Sequence, residues 1–242
     1  MIENLPKHIG FIIDGNGRWA KKRGFPRSFG HKKGLDRLKK IVRYCKELGV
    51  KIVSVFAFST ENWKRPKEEI DFLFDLFRKL CNDLLKKQDY EGVCYRMIGD
   101  KETIPTDMKE LALRLEEKTK NNTDFTVNFA VNYGGRDEIV RAVNKILKSG
   151  KQQISKEEFA TYLDTSFQDD PELIIRSSGE LRISNFMLYQ MAYSEFYFPK
   201  TLWPDFNKKE LLKALESYSS RKRRFGAVSE DKKWNKDYLQ QG

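Results

Sequence analysis

Short runs of β-branched and aromatic residues alternate along this chain with longer segments of helical period, and this alternation restricts the fold more than any other feature. Six runs predict buried strands, at residues 9–13, 52–58, 93–98, 125–131, 173–175 and 196–198. Between them, apolar residues recur at spacings of three and four and predict helices over about 35–48, 66–85, 106–120 and 136–149. Strands separated by helices imply right-handed crossovers and a mostly parallel sheet covered on both faces.

We therefore expect one α/β domain over residues 1–242, with a mostly parallel six-stranded sheet flanked by helices. No internal repeat, low-complexity tract or linker divides the sequence. Residues 227–242 are polar, and we expect them to form a loosely held tail. A chain of this length buries roughly 70–75% of its unfolded surface, so it can be stable without disulfides.

The composition excludes two classes of protein. Three cysteines, an odd number, argue against the disulfide scaffold of a small secreted protein. No stretch approaches the ~20 apolar residues of a membrane-spanning helix. The first residues lack the charged and apolar regions of a signal peptide. We expect a soluble protein of the cytoplasm.

Positive charge is concentrated in one segment. The chain has 46 lysines and arginines against 35 acids, a net charge of +11. Residues 18–43 contain eleven basic side chains and one acid, Asp36, and so carry +10 of this excess. Such a field attracts phosphate, whether on nucleic acid, on an anionic membrane or on a small diphosphate. A solvated helix face is the alternative, and charge alone does not choose among these interpretations.

The loops that follow the predicted strands are informative, because ligands of such sheets bind beyond the carboxyl ends of the strands. Four of these loops are residues 14–19, 59–65, 132–136 and 176–182. Each contains arginine together with a carboxylate or a carboxamide, and three contain glycine. Their convergence is stronger evidence for a binding site than any one of them.

Asp14 directly follows the first predicted strand, and Gly15 and Gly17 come close behind it. Glycines let the backbone approach a ligand, and an aspartate beside phosphate is a natural ligand of Mg²⁺. A turn or a helix cap at Asp14 is the alternative. A nucleotide site is disfavoured, because the P-loop motif is absent and no acidic strand end follows the Gly15-x-Gly17-x-x-Ala20 pattern.

Several other residues have two interpretations. His31 could bind phosphate, shuttle a proton, or cap a helix that begins near Gly34. Trp19, Trp63 and Trp203 are better explained as packing residues than as ligands. The three cysteines are expected to be core thiols, because none of them has the spacing of a metal site.

The second predicted helix has an apolar face, formed by Ile70, Leu73, Phe74, Phe77 and Leu80. Such a face usually packs in the core. Below a phosphate site it could instead line a hydrophobic tunnel. A ligand with a diphosphate head and a hydrocarbon tail would suit both ends.

Six stretches of the sequence together resemble the cis-prenyltransferases, in particular the bacterial, homodimeric undecaprenyl diphosphate synthase family. They are residues 8–20 (HIGFIIDGNGRWA), 30–34, 56–66 (FAFSTENWKRP), 128–136, 175–186 (IRSSGELRISNF) and 193–198, followed by Arg224-Phe225-Gly226. They occur in family order over nearly the whole chain, which makes the combination specific.

The resemblance implies a transferase that adds isopentenyl diphosphate repeatedly to an allylic diphosphate, usually farnesyl diphosphate, and forms cis double bonds. It also implies Mg²⁺ as cofactor and a homodimer. The expected product is undecaprenyl diphosphate, the lipid carrier precursor for cell-wall glycan. Because that product is too apolar to enter water unaided, we expect peripheral contact with the inner face of the membrane. The alternatives are a shorter-chain synthase and a non-catalytic basic module that binds RNA or membrane; for the enzyme, no nucleic acid partner is expected.

The resemblance also implies roles for individual residues. Asp14 would engage Mg²⁺ and diphosphate, with Glu195 as a second metal-linked carboxylate. The allylic diphosphate would be held by Gly15, Asn16, Gly17, Arg18, Trp19, Arg27 and His31. Isopentenyl diphosphate would be held by Arg176, Arg182 and Ser184. A segment that closes over the substrates would include Ser59, Thr60, Asn62, Trp63, Arg65 and Glu69.

Two further roles follow from the same resemblance. Asn62 with Ser59 is one candidate for the proton acceptor, and the diphosphate is another. Arg224 and Gly226 match an element that reaches the site of the partner subunit. Phe125 lies near the expected floor of the tunnel, where many long-chain relatives have a smaller aliphatic residue, and its ring could shorten the product. The small Ala57 instead favours a long product.

Overall fold

All six predicted strands pair in one parallel sheet in the computed structural model, which describes residues 4–86 and 91–221. The strands are β1 (His8–Ile12), β2 (Ile52–Ser59), β3 (Val93–Ile98), β4 (Phe125–Tyr133), β5 (Leu173–Arg176) and β6 (Glu195–Tyr197). Their order is β3-β4-β2-β1-β5-β6, which puts β1 and β2 at the centre. The predicted fold class is therefore confirmed.

Helices and short 3₁₀ turns connect these strands. The helices are α1 (Asn16–Lys21), α2 (Arg27–Leu48), α3 (Lys67–Leu85), α4 (Thr106–Thr119), α5 (Gly135–Lys148), α6 (Lys156–Ala160) and α7 (Lys208–Ser219). The 3₁₀ turns are Thr60–Lys64, Ser177–Gly179 and Trp203–Asp205. Three predicted helices match α3, α4 and α5 to within one residue, whereas α1, α6 and α7 are not among the predicted elements.

The helix α2 begins at Arg27, well before the predicted start near residue 35. Gly30 and Gly34 obscure its helical pattern in the sequence, and close packing against α1 is the reason for both glycines. A Cβ atom on Gly30 would lie 2.1 Å from the Asn16 carbonyl oxygen, and one on Gly34 would lie 2.3 Å from Asn16 Oδ1. His31 therefore lies inside α2, and its interpretation as a helix cap is wrong.

The sheet has an apolar core on each face. On one face, α2, α3, α4 and α7 pack against strand residues such as Phe11 and Val55. On the other face, Phe56 and Ile174 pack against Phe186. Both faces of the central strands are thus covered, which explains why the strands are continuously apolar in sequence.

The fold bears on the predictions made for the cysteines and for membrane-spanning helices. The three cysteines are buried and unpaired, as predicted. Within residues 4–86 and 91–221, no helix has the length and apolar content needed to cross a bilayer. The predictions for Arg224, Gly226 and the tail 227–242 concern residues outside those described.

Candidate active site

A cavity of about 470 Å³ opens at the carboxyl ends of the central strands. Its mouth is polar, and most of the predicted site residues line it: Asp14, Gly15, Asn16, Gly17, Arg18, Arg27, His31, Ser59, Asn62, Arg65, Arg176, Arg182 and Ser184. The rest of the wall is mostly apolar and comes from β1, β2, β4, α2 and α3. The apolar face of α3 is divided between two roles, because Leu73 and Phe77 line this cavity while Ile70 packs in the core.

A second cavity, of about 360 Å³, lies next to the apolar part of the first. The two share Leu35, Leu38, Leu80 and Phe129 in their walls. Phe125, the first residue of β4, lines the second cavity at the amino end of the sheet. The polar mouth therefore leads into apolar space that runs beside the sheet toward Phe125, as expected for a hydrophobic tunnel.

Asp14 lies two residues beyond β1, with its side chain 29% exposed. Its Oδ2 is 2.9 Å from Arg176 Nη2 and 3.1 Å from Arg18 Nη2. Partial burial alone would raise the pKa of Asp14, but the hydrogen bond from Arg176 and the charges of both arginines outweigh that effect. The pKa lies below its usual value, so the carboxylate is ionised at neutral pH.

Glycine is required after Asp14. Gly15 has φ of 103°, in the left-handed region, and a Cβ atom there would lie 2.8 Å from Leu202 Cδ2. At Gly17, a Cβ atom would lie 3.0 Å from the central carbon of the Arg27 guanidinium. The two glycines thus let Leu202 and Arg27 approach the backbone of the residues that follow Asp14.

Arg176 is the most buried cation of the mouth, with its side chain 4% exposed. Besides Asp14, it binds the segment that carries Arg182 and Ser184. Its Nη1 donates to Ser184 Oγ at 2.7 Å and to the Arg182 carbonyl at 2.5 Å. Arg176 therefore connects the end of β5 to the loop that follows it.

Glu180 binds two arginines that are more exposed than Arg176. Arg18 Nη1 donates to Glu180 Oε1 at 2.7 Å, and Arg182 Nη1 donates to Glu180 Oε2 at 2.5 Å. The side chains of Arg18 and Arg182 are 45% and 59% exposed. A diphosphate could exchange with Glu180 for these guanidinium groups, because arginine binds phosphate and carboxylate with the same planar set of donors.

Glu69 holds a second group of hydrogen-bond donors at the mouth, two arginines and a histidine. Its Oε1 accepts hydrogen bonds from Arg65 at 3.0 Å, Arg27 at 3.1 Å and His31 Nε2 at 3.2 Å. Burial is the main cause that lowers the pKa of His31, and the charges of Arg65 and Arg27 act in the same direction. Glu69 opposes them without reversing the shift, so the ring is neutral at neutral pH.

The turn at Thr60–Lys64 follows β2 at the rim of the cavity. Asn62 Oδ1 accepts the amide hydrogen of Ser59 at 3.2 Å, and the Ser59 side chain accepts the Asn62 amide in return. This reciprocal pair is a capping box that fixes the turn. Trp63 is anchored from the side, since its Nε1 donates to Asn132 Oδ1 at 2.7 Å.

Other predicted site residues lie outside the cavity lining. Trp19 is buried, and its Nε1 donates to Asp205 Oδ1 at 2.7 Å, which agrees with the packing interpretation. Thr60, Trp63 and Glu69 contact lining residues or their neighbours without lining the cavity themselves. Glu195 begins β6 opposite Leu173, at the other end of β5 from Arg176.

The structure therefore does not bring Glu195 to Asp14 within one chain. The Glu195 carboxylate instead accepts a hydrogen bond from Arg221 at 2.5 Å. Among the described residues, no group of three or more histidine, cysteine, aspartate or glutamate side chains could hold a metal ion. The role of Glu195 as a second metal-linked carboxylate stays a prediction.

Several residues that shape the mouth have no role in the sequence-based prediction. Ser177 Oγ accepts the Asp14 amide at 3.0 Å and donates to the Asp14 carbonyl at 2.7 Å. Glu180 and Asn132 hold arginines and Trp63 in place, as described above. Both lie in segments that the sequence analysis treats as loops after strands, but Arg18 is 162 positions from Glu180 and Trp63 is 69 positions from Asn132, so these contacts leave no local signal.

Comparison with known proteins gives a consistent result. Residues 12–226 match a family model described as "Putative undecaprenyl diphosphate synthase". The chain is 52% identical over 228 residues to an isoprenyl transferase of Fusobacterium nucleatum, covering 94% of this chain and 99% of that protein. It is 48% identical over 230 residues to an isoprenyl transferase of Bacillus cereus, covering 93% of this chain and 89% of that protein.

Solved structures agree with these sequence matches. A lavandulyl diphosphate synthase from Lavandula x intermedia, in complex with dimethylallyl diphosphate, superposes with a TM-score of 0.86 at 35% identity, covering 92% of this chain and 98% of that one. A probable undecaprenyl diphosphate synthase from Campylobacter jejuni superposes with a TM-score of 0.78 at 35% identity, covering 92% and 99%.

Proposed function

Because the chain belongs to the cis-prenyltransferase family of isoprenyl transferases and undecaprenyl diphosphate synthases, we propose that it condenses isopentenyl diphosphate repeatedly with an allylic diphosphate, farnesyl diphosphate first of all. The observation that carries the proposal is the division of one cavity into a cationic mouth and an apolar wall. A diphosphate head fits the mouth, and a growing hydrocarbon chain fits the wall.

Two groups of hydrogen-bond donors, each containing arginine, suit two diphosphates. Arg27, which lies beside Gly17, would hold the allylic diphosphate together with His31, and Arg176, Arg182 and Ser184 would hold isopentenyl diphosphate. Breaking the allylic C–O bond places negative charge on the departing diphosphate. Preorganised guanidinium groups stabilise that charge, and the apolar wall keeps water from the allylic carbon.

Mg²⁺ is the cofactor proposed for this reaction. The donor set fits, because Asp14 is an ionised and partly exposed carboxylate at the mouth, and Mg²⁺ favours one or two carboxylates together with phosphate oxygens and water. Asp14 would hold the ion. The bound cation would supply further neutralisation of the diphosphate charge, while Asp14 acts by positioning and not as a nucleophile.

The proposed proton acceptor is the departing diphosphate. Condensation leaves a proton to be removed from the carbon chain. The alternative proton acceptor is Asn62 with Ser59, but the side chain of each of these residues accepts a hydrogen bond from the backbone amide of the other in the capping box. An amide side chain is also a very weak base, whereas a diphosphate oxygen has both the charge and the position to accept a proton.

The proposed product is undecaprenyl diphosphate, for lipid-carrier synthesis. Two adjoining cavities that share apolar walls support a long chain. One observation favours the alternative of a shorter product: the Phe125 ring, 1% exposed, occupies the far end of the apolar space. One solved relative is a lavandulyl diphosphate synthase, so the fold alone does not fix the product.

A homodimer is the proposed assembly. Val140, Val143 and Leu147 form a stripe along one side of α5, at 58%, 41% and 65% exposure. Spacings of three and four place these side chains on a single helix face. An exposed apolar stripe of this kind suits a second copy of the chain, and sedimentation velocity of the full chain tests it.

Peripheral membrane contact, on the cytoplasmic face, is proposed for the basic segment. Lys21, Lys22, Lys32 and Lys33 form no ion pair with described residues, and Phe25 among them is 45% exposed. Cations around an exposed aromatic ring suit an anionic lipid surface. Co-sedimentation with vesicles of phosphatidylglycerol, compared with phosphatidylcholine, tests this for the wild type and for K21E/K22E.

The decisive experiment is an assay with farnesyl diphosphate, labelled isopentenyl diphosphate and Mg²⁺, in which product chain length is resolved. A ladder that ends near C55 and disappears with chelator supports the whole proposal. A shorter end point supports the shorter-chain alternative. Absence of incorporation by folded protein, with several allylic primers, contradicts the enzyme proposal and favours the non-catalytic module.

A further inference from the structure

Asn185 joins three segments around the mouth of the cavity. Its backbone carbonyl accepts the Gly135 amide at 2.6 Å, and its Oδ1 accepts the Arg136 amide at 2.9 Å. These two bonds cap the start of α5. Its Nδ2 donates to Glu61 Oε1 at 2.9 Å, so the same side chain also reaches the turn Thr60–Lys64.

The backbone around Asn185 turns two neighbouring side chains in different directions. Ser184 has φ of 50° and Asn185 has φ of 65°, both in the left-handed region. The Ser184 side chain faces the cavity and binds Arg176. The Asn185 side chain does not line the cavity; it binds the Arg136 amide at the start of α5 and the Glu61 carboxylate. Two successive left-handed residues are costly for side-chain-bearing residues, and strain of this kind concentrates at functional sites.

The meeting point of the segments is tightly packed. A Cβ atom on Gly134, just before α5, would lie 2.7 Å from both Asn185 Nδ2 and Thr60 Oγ1. The loop, the turn and the start of α5 therefore touch without a side chain between them. A small displacement of one segment must displace the others.

The contact between Asn185 and Glu61 connects the loop proposed to bind isopentenyl diphosphate with the turn Thr60–Lys64. On one side, the loop with Arg182 and Ser184 belongs to the isopentenyl diphosphate side. On the other side, Glu61 immediately precedes Asn62, which lines the cavity in the turn that leads to Arg65. Hydrogen bonds thus connect Asp14 through Arg176 to Ser184, and the next residue in the chain, Asn185, binds Glu61.

We propose that Asn185 is a positioning residue that holds the turn Thr60–Lys64 in register with the isopentenyl diphosphate loop through its hydrogen bond to Glu61. The proposal rests on the proposed function, because it assigns a role within that reaction. Glu61 is the acceptor of the bond and is ionised, since the Asn185 donor and neighbouring hydroxyls offset its partial burial and lower its pKa. A bond to a charged acceptor is stronger than one between neutral groups.

The test reverses the polarity of this one hydrogen bond. Asn185→Asp keeps an oxygen to accept the Arg136 amide and keeps a residue type that tolerates left-handed backbone. It places two carboxylates against each other and removes the donor. Glu61→Gln keeps an oxygen to accept from Asn185. In the double variant N185D/E61Q, the Gln amide donates to the Asp carboxylate, so the bond is restored in the opposite direction.

We expect N185D to lose about tenfold or more in kcat/KM for isopentenyl diphosphate, the scale of one charge-assisted hydrogen bond. E61Q is expected to stay within a few-fold of wild type, and the double variant to recover to a similar level. Affinity for an unreactive thio analogue of farnesyl diphosphate, measured by calorimetry, is expected to change little in all three.

Two results would overturn the inference. An N185D enzyme with wild-type kcat/KM would show that the bond to Glu61 does not matter. Equal losses of kcat/KM in N185D and in the double variant would show that Asn185 acts only by capping the start of α5. Thermal unfolding of each variant would measure that structural effect. Failure of the proposed function has a different signature, because the wild-type chain would then incorporate no isopentenyl diphosphate.

Discussion

The Arg176 guanidinium lies 2.9 Å from the Asp14 carboxylate, and the Arg176 side chain is only 4% exposed. The two residues are 162 positions apart in sequence and are brought together because β1 and β5 are adjacent parallel strands. The ion pair fixes the orientation of both groups before any ligand arrives. Such preorganisation matters because the charges then need no rearrangement when diphosphate charge develops.

The first prediction concerns the Asp14 charge. Asp14→Asn keeps the size of the side chain and removes the charge, and Asp14→Ala removes both. We expect turnover to fall by well over ~10²-fold in each, the scale of one lost electrostatic stabiliser, while substrates still bind. Steady-state kinetics combined with calorimetric binding of farnesyl diphosphate measures both effects. Near-normal turnover in Asp14→Asn would contradict the role given to the carboxylate.

The second prediction separates backbone strain from a steric clash. Gly15→Ala places a side chain at φ of 103° and pushes Cβ to 2.8 Å from Leu202. Gly24→Ala also has positive φ, 71°, but a Cβ atom there meets nothing within 4 Å. Each backbone conformation costs about 1–2 kcal/mol for a non-glycine residue.

Both variants should therefore lower the unfolding free energy, measured by urea titration. Only Gly15→Ala should also reduce turnover strongly, because relief of the clash moves the backbone next to Asp14. Equal turnover in the two variants would show that the approach of Leu202 to Gly15 has no bearing on the site.

The third prediction concerns the pKa of His31. Burial lowers this pKa below its usual value, and Glu69 opposes the shift. Glu69→Gln removes the opposing charge, so the pKa of His31 should fall further. Two-dimensional NMR of the imidazole nitrogens during a pH titration measures it directly. Glu68→Gln, an exposed neighbour in the same helical turn, is the control, and an equal shift there would refute the direct effect of Glu69.

The fourth prediction links stability to pH through His8. Burial lowers the pKa of His8 from 6.5 to about 4. Its Nδ1 donates to the Asp169 carbonyl at 2.7 Å, and its Nε2 accepts from Ser54 Oγ at 2.7 Å, so the folded state requires the neutral ring. The unfolded chain takes up the proton first as pH falls. Stability is therefore complete above about pH 6.5 and lost progressively down to pH 4, by about 3 kcal/mol in total.

His8→Gln offers a donor and an acceptor without titrating in this range. The difference in unfolding free energy between wild type and this variant should shrink or reverse as pH falls from 7 to 4.5. Carboxylates that titrate in the same range cancel in that difference. A difference independent of pH would show that folding does not lower the pKa of His8.

The fifth prediction concerns product length. Phe125→Leu removes ring atoms from the far end of the apolar space and should shift products to longer chains, by one or more five-carbon units. Phe11→Leu is the matched control, because Phe11 is fully buried against Trp203 and Phe206 and lines neither cavity. Chromatography of dephosphorylated products measures the distribution. An unchanged distribution in Phe125→Leu would remove Phe125 from the floor.

Local patterns predicted the regular elements well, and their failures have physical causes. The strands are continuously apolar because both faces of the sheet are covered, and α3, α4 and α5 show clear helical periods. The start of α2 was misplaced because Gly30 and Gly34 serve the contact with Asn16 and interrupt the apolar pattern. Tertiary contact there overrides propensity.

In the candidate site, too, some features could be predicted from local sequence and others depended on tertiary contacts. Asp14, Arg176 and Arg182 could be named from their loops and from the family resemblance, and all three line the cavity. Glu195 is predicted to be a second metal-linked carboxylate, and strand register places it opposite Leu173 and next to Arg221, remote from Asp14 in the same chain. The short motif around Glu195 contains no information about which end of a neighbouring strand it will meet.

The sequence by itself determined the parallel α/β architecture, the basic segment and the residue types that can hold a diphosphate, because these depend on periodicity and on side-chain chemistry. Only the tertiary structure decided which polar groups are partners: Arg176 with Asp14, Arg27 and His31 with Glu69, and Asn185 with Glu61. The physical reason is that pairing depends on strand order and on distances of a few ångströms between residues remote in sequence. Those are set by the packing of the whole sheet, which no local pattern encodes.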